Sequence, residues 1–549
     1  MHHEVKTKNP LSTETIEINA NKQKGRNLII NKEIIKANMV VFIASFCTLV
    51  IELVAGRIMA PYVGVSLYTW TSIIGVVLAG ISIGAYLGGL LADRYPTHST
   101  LGWLLFLSGV GALIIAPLTN LIGAAQFNTS LMLRILILTA AIFFAPACIL
   151  GMISPVVVKL TLHNLNNTGN VVGKIYAFST LGSILGTFAT GFFLISWMGT
   201  RNILLTVGVI LIVSAVIFGE FFVRKKSLAI FTAMLASLLW AFHGYAFKPQ
   251  LDQHTYFHKE SNYYTLKLRK TPSDHGGVPL EALIIDNLTH SYTDLKNPHH
   301  IEYSYLKIFD EFLTWRHVEN RPTKMLFVGG GGYTLPRHVE HKYPAAEMDV
   351  VEIDSEVTRV VYDHLGVSRD TRIRSFNEDG RWFVMNQKQQ HVYDFIFLDA
   401  FNDLSIPYHL TTKEFAAQLK PLLKQDGIIL ANLIDDVQKG HFLPSYIKTL
   451  EEVFGKGHVK VVIPFPGDKP VGISTCIVAA GSQKPDMDDF VKKIKKIKGK
   501  QMVASVPPPE MLQLDGGKRY AVLLTDDYVP VDNLIAPIFE ERFGYKSKR

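Results

Sequence analysis

The stretch MLFVGGGGYTLPRHV (residues 325–339) has the pattern of a buried strand that runs into four glycines and then into a helix. Consecutive glycines let the backbone approach a ligand closely, because glycine has no Cβ and adopts positive φ angles at little cost. A strand, a glycine-rich turn and a helix in this order are typical of nucleotide-binding α/β folds. We therefore expect a ligand site at residues 329–332.

The chain beyond this stretch continues to alternate between strand and helix patterns. Strands are predicted at 324–329, 347–354, 371–376, 393–400 and 427–434, and helices at 355–366 and 411–427. Thr411 or Thr412 is expected to cap the last helix and Gly427 to end it. The alternation predicts a parallel, doubly wound sheet, whose ligands bind outside the carboxyl ends of the strands.

The first half of the chain has a different composition, dominated by long apolar spans. The protein has 549 residues, of which 48% are hydrophobic, and it is too long for a single domain. Apolar spans of about 20 residues, the length that crosses a bilayer, occur at 38–59, 71–92, 101–119, 132–156, 172–196, 202–222 and 227–246. We predict a multi-pass, integral membrane domain of about seven helices at 38–246, preceded by a basic, disordered tail at 1–37.

The distribution of charge favours a lipid bilayer over nucleic acid as the partner of this half. The net charge is +8, but the basic residues cluster in the N-terminal tail and beside apolar spans. Their placement predicts a cytoplasmic N-terminus. Seven spans would then place the C-terminal half outside the cell, away from a cytosolic cosubstrate. We expect one miscounted span and a cytoplasmic C-terminal domain.

Glycines recur at intervals of four residues in two of the apolar spans. Gly80, Gly84 and Gly88 lie in the second span, and Gly182 and Gly186 lie in the fifth. At this spacing the glycines share one helix face, which allows two helix backbones to pack closely. Close helix packing is the prediction for both spans.

Cysteine and histidine spacings indicate neither a disulfide framework nor a metal site. The three cysteines lie far apart, and the histidines show no metal-ligand spacing in a shared cleft. No metal is expected.

Acids follow several of the predicted strands. Glu352 lies about 20 residues after the glycine turn, where an acid accepts the two hydroxyls of a ribose with its two oxygens. Asp379 is placed either to accept an adenine amino group or to cap the following helix, and Asp399 either to bind an amino group on the ligand tail or to cap a loop. Asp354 is predicted to be a helix cap. The expected nucleoside-binding residues are Gly329, Gly330, Gly331, Gly332, Glu352, Asp379 and Asp399.

In this order of motifs the chain resembles the spermidine synthase (polyamine aminopropyltransferase) family, and most closely its membrane-fused branch. The resemblance rests on VGGGGYTLPR (328–337), VVEID (350–354) and FLDAFNDLSIPYHLTTKEF (397–415). KESNYYTLKL (259–268) resembles the family's small N-terminal β-region. The resemblance implies a small β-region at 247–320 and a Rossmann-like domain of the class I methyltransferase type at 321–549.

The resemblance also implies an activity. Members transfer an aminopropyl group from decarboxylated S-adenosylmethionine to a diamine such as putrescine, so a polyamine is the expected small-molecule partner and a homodimer is a further expectation. Asp399, Asn402 and Asp403 would be the catalytic residues, with Asp403 as the base. Tyr264, Tyr303 and Tyr408 would line the substrate cleft.

Three positions depart from the family pattern. The acid of the glycine loop falls on Gly332, the second acid of the catalytic loop falls on Asn402, and the histidine after the cleft tyrosine falls on Ser304. Each change removes charge that polyamine chemistry uses. Two alternatives therefore stay open: a methyltransferase that uses intact S-adenosylmethionine, and a polyamine or amino-acid transporter whose soluble half binds nucleoside with little catalysis.

Overall fold

A computed structural model describes residues 10–123, 125, 129–162, 168–220, 251–273, 278–286, 288–316, 318, 321–401, 406–465, 472–508, 512 and 520–538, with side chains from residue 32 onwards. The chain divides into two compact units. The C-terminal unit contains the described residues from 251 onwards together with the short segments 59–69 and 125–135. The helical unit contains the other described residues.

The described residues of the first half of the chain form helices joined by short loops. Its helices are α1 (Pro10–Val63), α2 (Leu67–Arg94), α3 (His98–Ile122), α4 (Leu131–Thr139), α5 (Ala145–Thr161), α6 (Thr168–Ala189) and α7 (Ile195–Phe218). One π-helical turn joins α4 to α5, and another joins α6 to α7. Among the residues that the structure describes, five stretches are long and apolar enough to cross a membrane: Lys32–Val63, Leu67–Arg94, His98–Ile122, Leu131–Thr161 and Thr168–Phe218.

The fifth stretch contains two of the spans predicted from the sequence. Gly199 interrupts it with non-helical angles (φ 71°, ψ 159°), so the predicted spans 172–196 and 202–222 lie on either side of this break. The seventh predicted span, 227–246, lies outside the described residues. The prediction of a disordered tail at 1–37 needs correction from Pro10 onwards, where α1 begins; residues 1–9 lie outside the described residues. Proline is favoured in a first helical turn, and the residues that follow contain few helix breakers.

The close helix packing predicted from the glycine repeats is confirmed. A Cβ on Gly88 of α2 would lie 2.6 Å from the carbonyl oxygen of Met152 in α5, and a Cβ on Gly186 of α6 would lie 2.6 Å from that of Phe46 in α1. Any larger residue would force these backbones apart. The glycines therefore join α2 to α5 and α6 to α1.

Two sheets form the centre of the C-terminal unit. A four-stranded antiparallel sheet contains β1 (Thr255–Glu260), β2 (Thr265–Pro272), β3 (Pro279–Ile285) and β4 (Leu288–Thr293). An eight-stranded sheet has the order β12-β10-β11-β9-β8-β5-β6-β7. Its strands are β5 (Thr323–Val328), β6 (Ala346–Val351), β7 (Ile373–Phe376), β8 (Tyr393–Leu398), β9 (Leu423–Asp436), β10 (Val459–Pro464), β11 (Ile473–Gly481) and β12 (Ala504–Ser505).

The larger sheet confirms the predicted α/β architecture. Strands β5 to β9 pair in parallel, while β10, β11 and β12 join by antiparallel pairing. Every residue of β8 is buried, as expected for a parallel strand covered by helices on both faces. The helices of this unit are α8 (Ser304–Trp315), α9 (Thr334–Lys342), α10 (Ser355–His364), α11 (Gly380–Met385), α12 (Lys413–Leu419), α13 (Phe442–Phe454), α14 (Met487–Lys498) and α15 (Val531–Leu534).

The helix predicted at 411–427 is shorter than expected. Thr412 caps α12 by accepting a hydrogen bond from the Phe415 N–H, but the helix ends at Leu419 and β9 already begins at Leu423. Pro421 explains the early end, because it has no N–H to continue the helix and its ring clashes with the preceding turn. The prediction that the helix continues to Gly427 is wrong.

Candidate active site

A cleft of about 260 Å³ opens at the carboxyl ends of β5, β6 and β8 in the C-terminal unit. This is the edge at which parallel sheets bind their ligands. Tyrosines of the β1–β2 turn, residues at the start of α11 and residues after β8 complete its walls. The lining residues are Tyr263, Tyr264, Ile285, His290, Val328, Gly329, Gly331, Val351, Glu352, Ile353, Asp379, Gly380, Asp399, Ala400, Phe401, Pro407, His409 and Leu410.

The glycine turn after β5 fits between two neighbouring strand ends. Gly329 has a φ of +98°, and a Cβ on it would lie 2.9 Å from the Cα of Ala400. Gly331 also has a positive φ, and no atom lies within 4 Å of the position of its Cβ. Glycine is thus required at 329 because the backbone of the segment after β8 lies too close for a side chain. At 331 the glycine leaves open space on the side of the cleft.

Glu352 directly follows β6 and is held by backbone N–H groups. Its Oε2 accepts from Gly330 N at 2.9 Å and Gly331 N at 3.4 Å, and its Oε1 accepts from Asp354 N at 3.0 Å. Burial raises the pKa of Glu352, and these hydrogen bonds partly offset the rise. The carboxylate therefore fixes the glycine turn, and each oxygen keeps acceptor capacity for a ligand hydroxyl.

Asp379 performs one of its two predicted roles in this structure. Its Oδ1 caps α11 by accepting from Arg381 N and Trp382 N, while its Oδ2 lies 2.8 Å from Nε2 of His409. Burial raises the pKa of Asp379, but the bonds from Trp382 N–H and His409 outweigh it and hold the pKa below its ordinary value. Asp354 is likewise the predicted helix cap, accepting from Glu356 N.

Asp399 follows β8 at the opposite end of the cleft and is held by side chains. Its Oδ2 accepts from the Tyr305 hydroxyl at 3.0 Å, and its Oδ1 accepts from Nδ2 of Asn432 at 2.7 Å. Burial raises the pKa of Asp399 to about 6, because two neutral donors offset the loss of water only in part. Oδ1 of Asn432 is buried without a hydrogen-bond partner among the described residues.

Gly332 packs against the small sheet. A Cβ at this position would overlap the Oγ of Ser291 in β4 and lie 2.5 Å from its Cβ. An acid at 332, the residue type expected from the family pattern, cannot enter without displacing Ser291. Gly332 is also absent from the residues that line the cleft.

The three predicted substrate tyrosines occupy different environments. Tyr264 lines the cleft, and burial raises the pKa of its hydroxyl, which keeps it protonated. Tyr303 lies outside the lining residues and donates its hydroxyl to the carbonyl oxygen of Thr289 at 2.6 Å. Tyr408 is 62% exposed and also lies outside the lining. The tyrosine that contacts Asp399 is Tyr305, whereas Tyr303 was the tyrosine predicted to line the cleft.

Sequence reasoning missed one residue of the cleft and two residues that hold a cleft acid. His409 lines the cleft, whereas Tyr305 and Asn432 lie outside the lining and donate hydrogen bonds to Asp399. An isolated polar residue on β9 gives no motif, and Tyr305 is separated by one residue from the predicted tyrosine. Asn402 and Asp403 lie outside the described residues. Among the residues that the structure describes, no group of three or more His, Cys, Asp or Glu side chains could hold a metal ion.

A segment near the C-terminus contacts the wall of the cleft. Both carboxylate oxygens of Asp526 accept from the Arg381 guanidinium, at 2.7 and 2.6 Å. The same guanidinium donates to the carbonyl oxygen of His409 at 3.2 Å. Arg381 therefore ties the C-terminal segment to the backbone of the residue that pairs with Asp379.

Comparisons with known proteins agree with this geometry. Residues 313–465 match the spermine/spermidine synthase domain. The polyamine aminopropyltransferase of Vibrio vulnificus is 37% identical over 115 residues, which are 20% of this chain and 38% of that protein. Polyamine aminopropyltransferase 2 of Aquifex aeolicus is 23% identical over 432 residues, which are 75% of this chain and 82% of that protein.

A probable spermidine synthase of Corynebacterium glutamicum has a similar structure, with a TM-score of 0.39, 20% identity, and coverage of 52% of this chain and all of that one. The chain spans only about a third of the length of two relatives that it matches, those of Vibrio vulnificus and Bifidobacterium longum (38% and 33%). The domain match and the sequence relatives agree with the motifs at the cleft. Through residues 313–465, this chain is similar to the spermine/spermidine synthase family.

Proposed function

We propose that the C-terminal unit transfers an aminopropyl group from decarboxylated S-adenosylmethionine to a diamine such as putrescine. The observation that carries this proposal is that Glu352 and Asp399 line one cleft, within the segment that matches the spermine/spermidine synthase domain. An acid for a ribose and an acid for an amine are the two groups that this reaction needs.

The Glu352 end of the cleft would hold the nucleoside. Glu352 is already oriented by three backbone N–H groups, so it offers its remaining lone pairs to the ribose hydroxyls without reorganising. The side chain of His409 and its partner Asp379 lie on the same wall and would border the base.

The Asp399 end would hold the reacting amine. A neutral amine nitrogen attacks the carbon bonded to the sulfonium sulfur, the C–S bond breaks, and its electron pair leaves sulfur as a neutral thioether. The new C–N bond makes the nitrogen cationic until it gives up a proton. With a pKa of about 6, Asp399 is ionised at neutral pH and can bind an ammonium or accept that proton.

Asp403 remains the proposed base, in a segment outside the described residues. In that arrangement Asp399 and the unpartnered Oδ1 of Asn432 would position the amine for in-line attack. Asp399 would then be the only described acid that lines this end of the cleft.

A methyltransferase is the second candidate, and the Gly332 environment favours it. No acid is present at 332, and Ser291 fills the space that its side chain would need. A tail pocket with less negative charge rejects the carboxylate of intact S-adenosylmethionine less strongly.

Cosubstrate binding to the purified full chain tests these two candidates. We expect decarboxylated S-adenosylmethionine to bind at least tenfold more tightly than S-adenosylmethionine in calorimetric titrations, because Asp399 attracts the free ammonium and repels the carboxylate. Equal or reversed affinities would favour the methyltransferase.

We further propose that the helical unit anchors the protein in a membrane, with the C-terminal unit in the cytoplasm, where adenosyl cosubstrates are made. Its five long apolar stretches support the anchor. A protease added to intact cells should leave a C-terminal tag uncut and should cut it after permeabilisation. Cleavage in intact cells would contradict the cytoplasmic placement.

A further inference from the structure

The helical unit contains a cavity of about 570 Å³ that the proposed transfer reaction does not use. Four helices surround it: α1, α2, α5 and α6. Its volume is in the range of small-molecule sites, which are mostly apolar with a few polar groups that fix orientation. The polar, uncharged side chains in its lining are Ser45, Thr48, Ser154, Tyr176, Ser179 and Ser183.

The walls of this cavity are two tightly joined helix pairs. Gly88 brings α2 against α5, and Gly186 brings α6 against α1. Within the second pair the hydroxyls of Ser45 and Ser179 lie 2.7 Å apart. The two helices of each pair are already in backbone contact and cannot move closer together. Side-chain repacking within a pair therefore does not fill the cavity that lies between the pairs.

The charge of the lining limits what the cavity can bind. Asp93 and Lys159 are the charged residues in the lining, and they form an ion pair of 2.6 Å with each other. The described residues of the lining therefore carry no net charge. A polycation such as a polyamine would bury several charges against hydroxyls and apolar groups without counter-ions, which is costly.

An uncharged molecule with hydroxyl groups fits these walls. Serine and threonine hydroxyls both donate and accept hydrogen bonds, and Tyr176 contributes an aromatic ring to the lining, a group that packs well against a flat ligand. The aliphatic residues between them suit an apolar body. A nucleoside with an apolar thioether has all three properties.

We propose that this cavity is a second small-molecule site that takes an uncharged nucleoside, and that its ligand is the thioether nucleoside released by aminopropyl transfer. The choice of ligand rests on the proposed function. Loss of the sulfonium charge distinguishes this product from the cosubstrate, so an uncharged cavity binds the product and rejects the cation. The helical unit would thereby receive the product of the reaction.

Binding stoichiometry tests the proposal. The full chain is reconstituted in phospholipid nanodiscs and titrated with radiolabelled 5′-methylthioadenosine. We expect two sites per chain in the wild type and one in Ala85→Trp, which places an indole in the cavity. Leu78→Trp is the matched control, because Leu78 lies on the same helix, is 56% exposed and does not line the cavity. It should keep both sites.

A second variant keeps the test informative if Ala85→Trp fails to fold. Ser183→Leu removes a hydroxyl from the α6 wall and should weaken the same site about tenfold. Equal stoichiometry in Ala85→Trp and Leu78→Trp, with unchanged affinity in Ser183→Leu, would overturn the proposal. Spermidine binding that is lost in Ala85→Trp would also overturn the proposal. So would a co-purified lipid that only Ala85→Trp loses, if the wild type and Ala85→Trp each bind one nucleoside.

The transfer assay separates this proposal from the proposed function. Ala85→Trp should leave aminopropyl transfer at the C-terminal unit unchanged. Loss of one nucleoside site in this variant supports the second site even if the wild type transfers no aminopropyl group, a result that would overturn the proposed function alone.

Discussion

The two ends of the cleft in the C-terminal unit hold their acids in different ways. At the proposed nucleoside end, Glu352 and Asp379 accept hydrogen bonds from backbone N–H groups close to them in the fold. At the amine end, Asp399 is held by Tyr305 and Asn432, side chains from two distant parts of the chain. The first arrangement depends on backbone geometry, and the second depends on the identity of individual residues.

The difference explains where the chain keeps the family pattern and where it departs from it. Backbone donors survive substitution of the residues that carry them, so an acid that they hold keeps its orientation. A side-chain-held acid changes its pKa and position whenever a partner changes. The departures at Gly332 and Asn402 both concern acids expected to bind or activate the amine. The following predictions test this contrast.

Asp399→Asn should have the largest effect. Removing the ionisable group at the amine end should lower kcat by about 10²- to 10³-fold, within the range of general acid–base contributions. Asn432 can rotate its amide to pair with the new side chain, so the fold should survive. Steady-state kinetics with decarboxylated S-adenosylmethionine measures the effect; a loss below fivefold would remove Asp399 from the proposed mechanism.

The same group predicts the pH dependence. If ionised Asp399 is required, activity should rise with pH through about 6 in the wild type and show no such step in Asp399→Asn. Stability should change in the opposite direction. The folded-state pKa exceeds the unfolded value of about 3.9, so this group's stabilising contribution is present below pH 4 and is lost as pH rises through 6. Unfolding titrations at pH 4 and 7 would show whether the variant removes that difference.

Glu352→Gln should act on binding and not on chemistry. The amide keeps one acceptor oxygen but places an NH₂ group near the backbone donors of Gly330 or Asp354. Loss of charge-assisted hydrogen bonds, worth about 1.5–3 kcal/mol, should raise KM about 10- to 100-fold with little change in kcat. A fall in kcat at unchanged KM would place Glu352 in the chemical step, and the two ends of the cleft would then not differ in the way proposed.

Gly332→Asp should destabilise the protein without restoring the family pattern. Its side chain meets Ser291, and overpacking of this kind costs about 1–3 kcal/mol. The double variant Gly332→Asp/Ser291→Gly should recover part of that loss in denaturant unfolding. If the single variant were as stable as the wild type, Ser291 would not be the reason that this position lacks a side chain.

Tyr305→Phe should have a moderate effect that appears in the pH profile. Removing one of the two donors to Asp399 should raise its pKa further and shift the activity step to higher pH. At neutral pH we expect a loss of about three- to tenfold. Tyr303→Phe is the matched control, because its hydroxyl bonds to a backbone carbonyl and not to Asp399; a shift of equal size in the control would contradict this assignment.

Asp526→Asn should have the smallest effect. It removes the charge from the bidentate pair with Arg381, which supports the backbone of His409. Asp526 is largely accessible to solvent, and exposed ion pairs contribute little, so we expect at most about a threefold rise in KM for the cosubstrate. A larger rise would mean that the C-terminal segment positions the nucleoside end.

Local features of the sequence predicted the α/β fold of the C-terminal unit and the positions of the glycine turn and Glu352 at one cleft. The glycine turn, Glu352 and the cap at Asp354 are neighbours in both sequence and space, so spacing alone identified them. The contacts of Tyr305 with Asp399, Asn432 with Asp399 and Asp526 with Arg381 join residues 94, 33 and 145 positions apart, and no short-range pattern encodes them. The early end of α12 follows from a single residue, Pro421, whose effect on the helix is stronger than the apolar periodicity that continues to Gly427.

Product analysis tests the central claim most directly. The purified full chain is incubated with putrescine and decarboxylated S-adenosylmethionine, and in parallel with putrescine and S-adenosylmethionine, and the products are identified by mass spectrometry. The account predicts spermidine and 5′-methylthioadenosine in equal amounts in the first reaction and no methylated amine in the second. Methylated amine from S-adenosylmethionine, or nucleoside binding without either product, would contradict it.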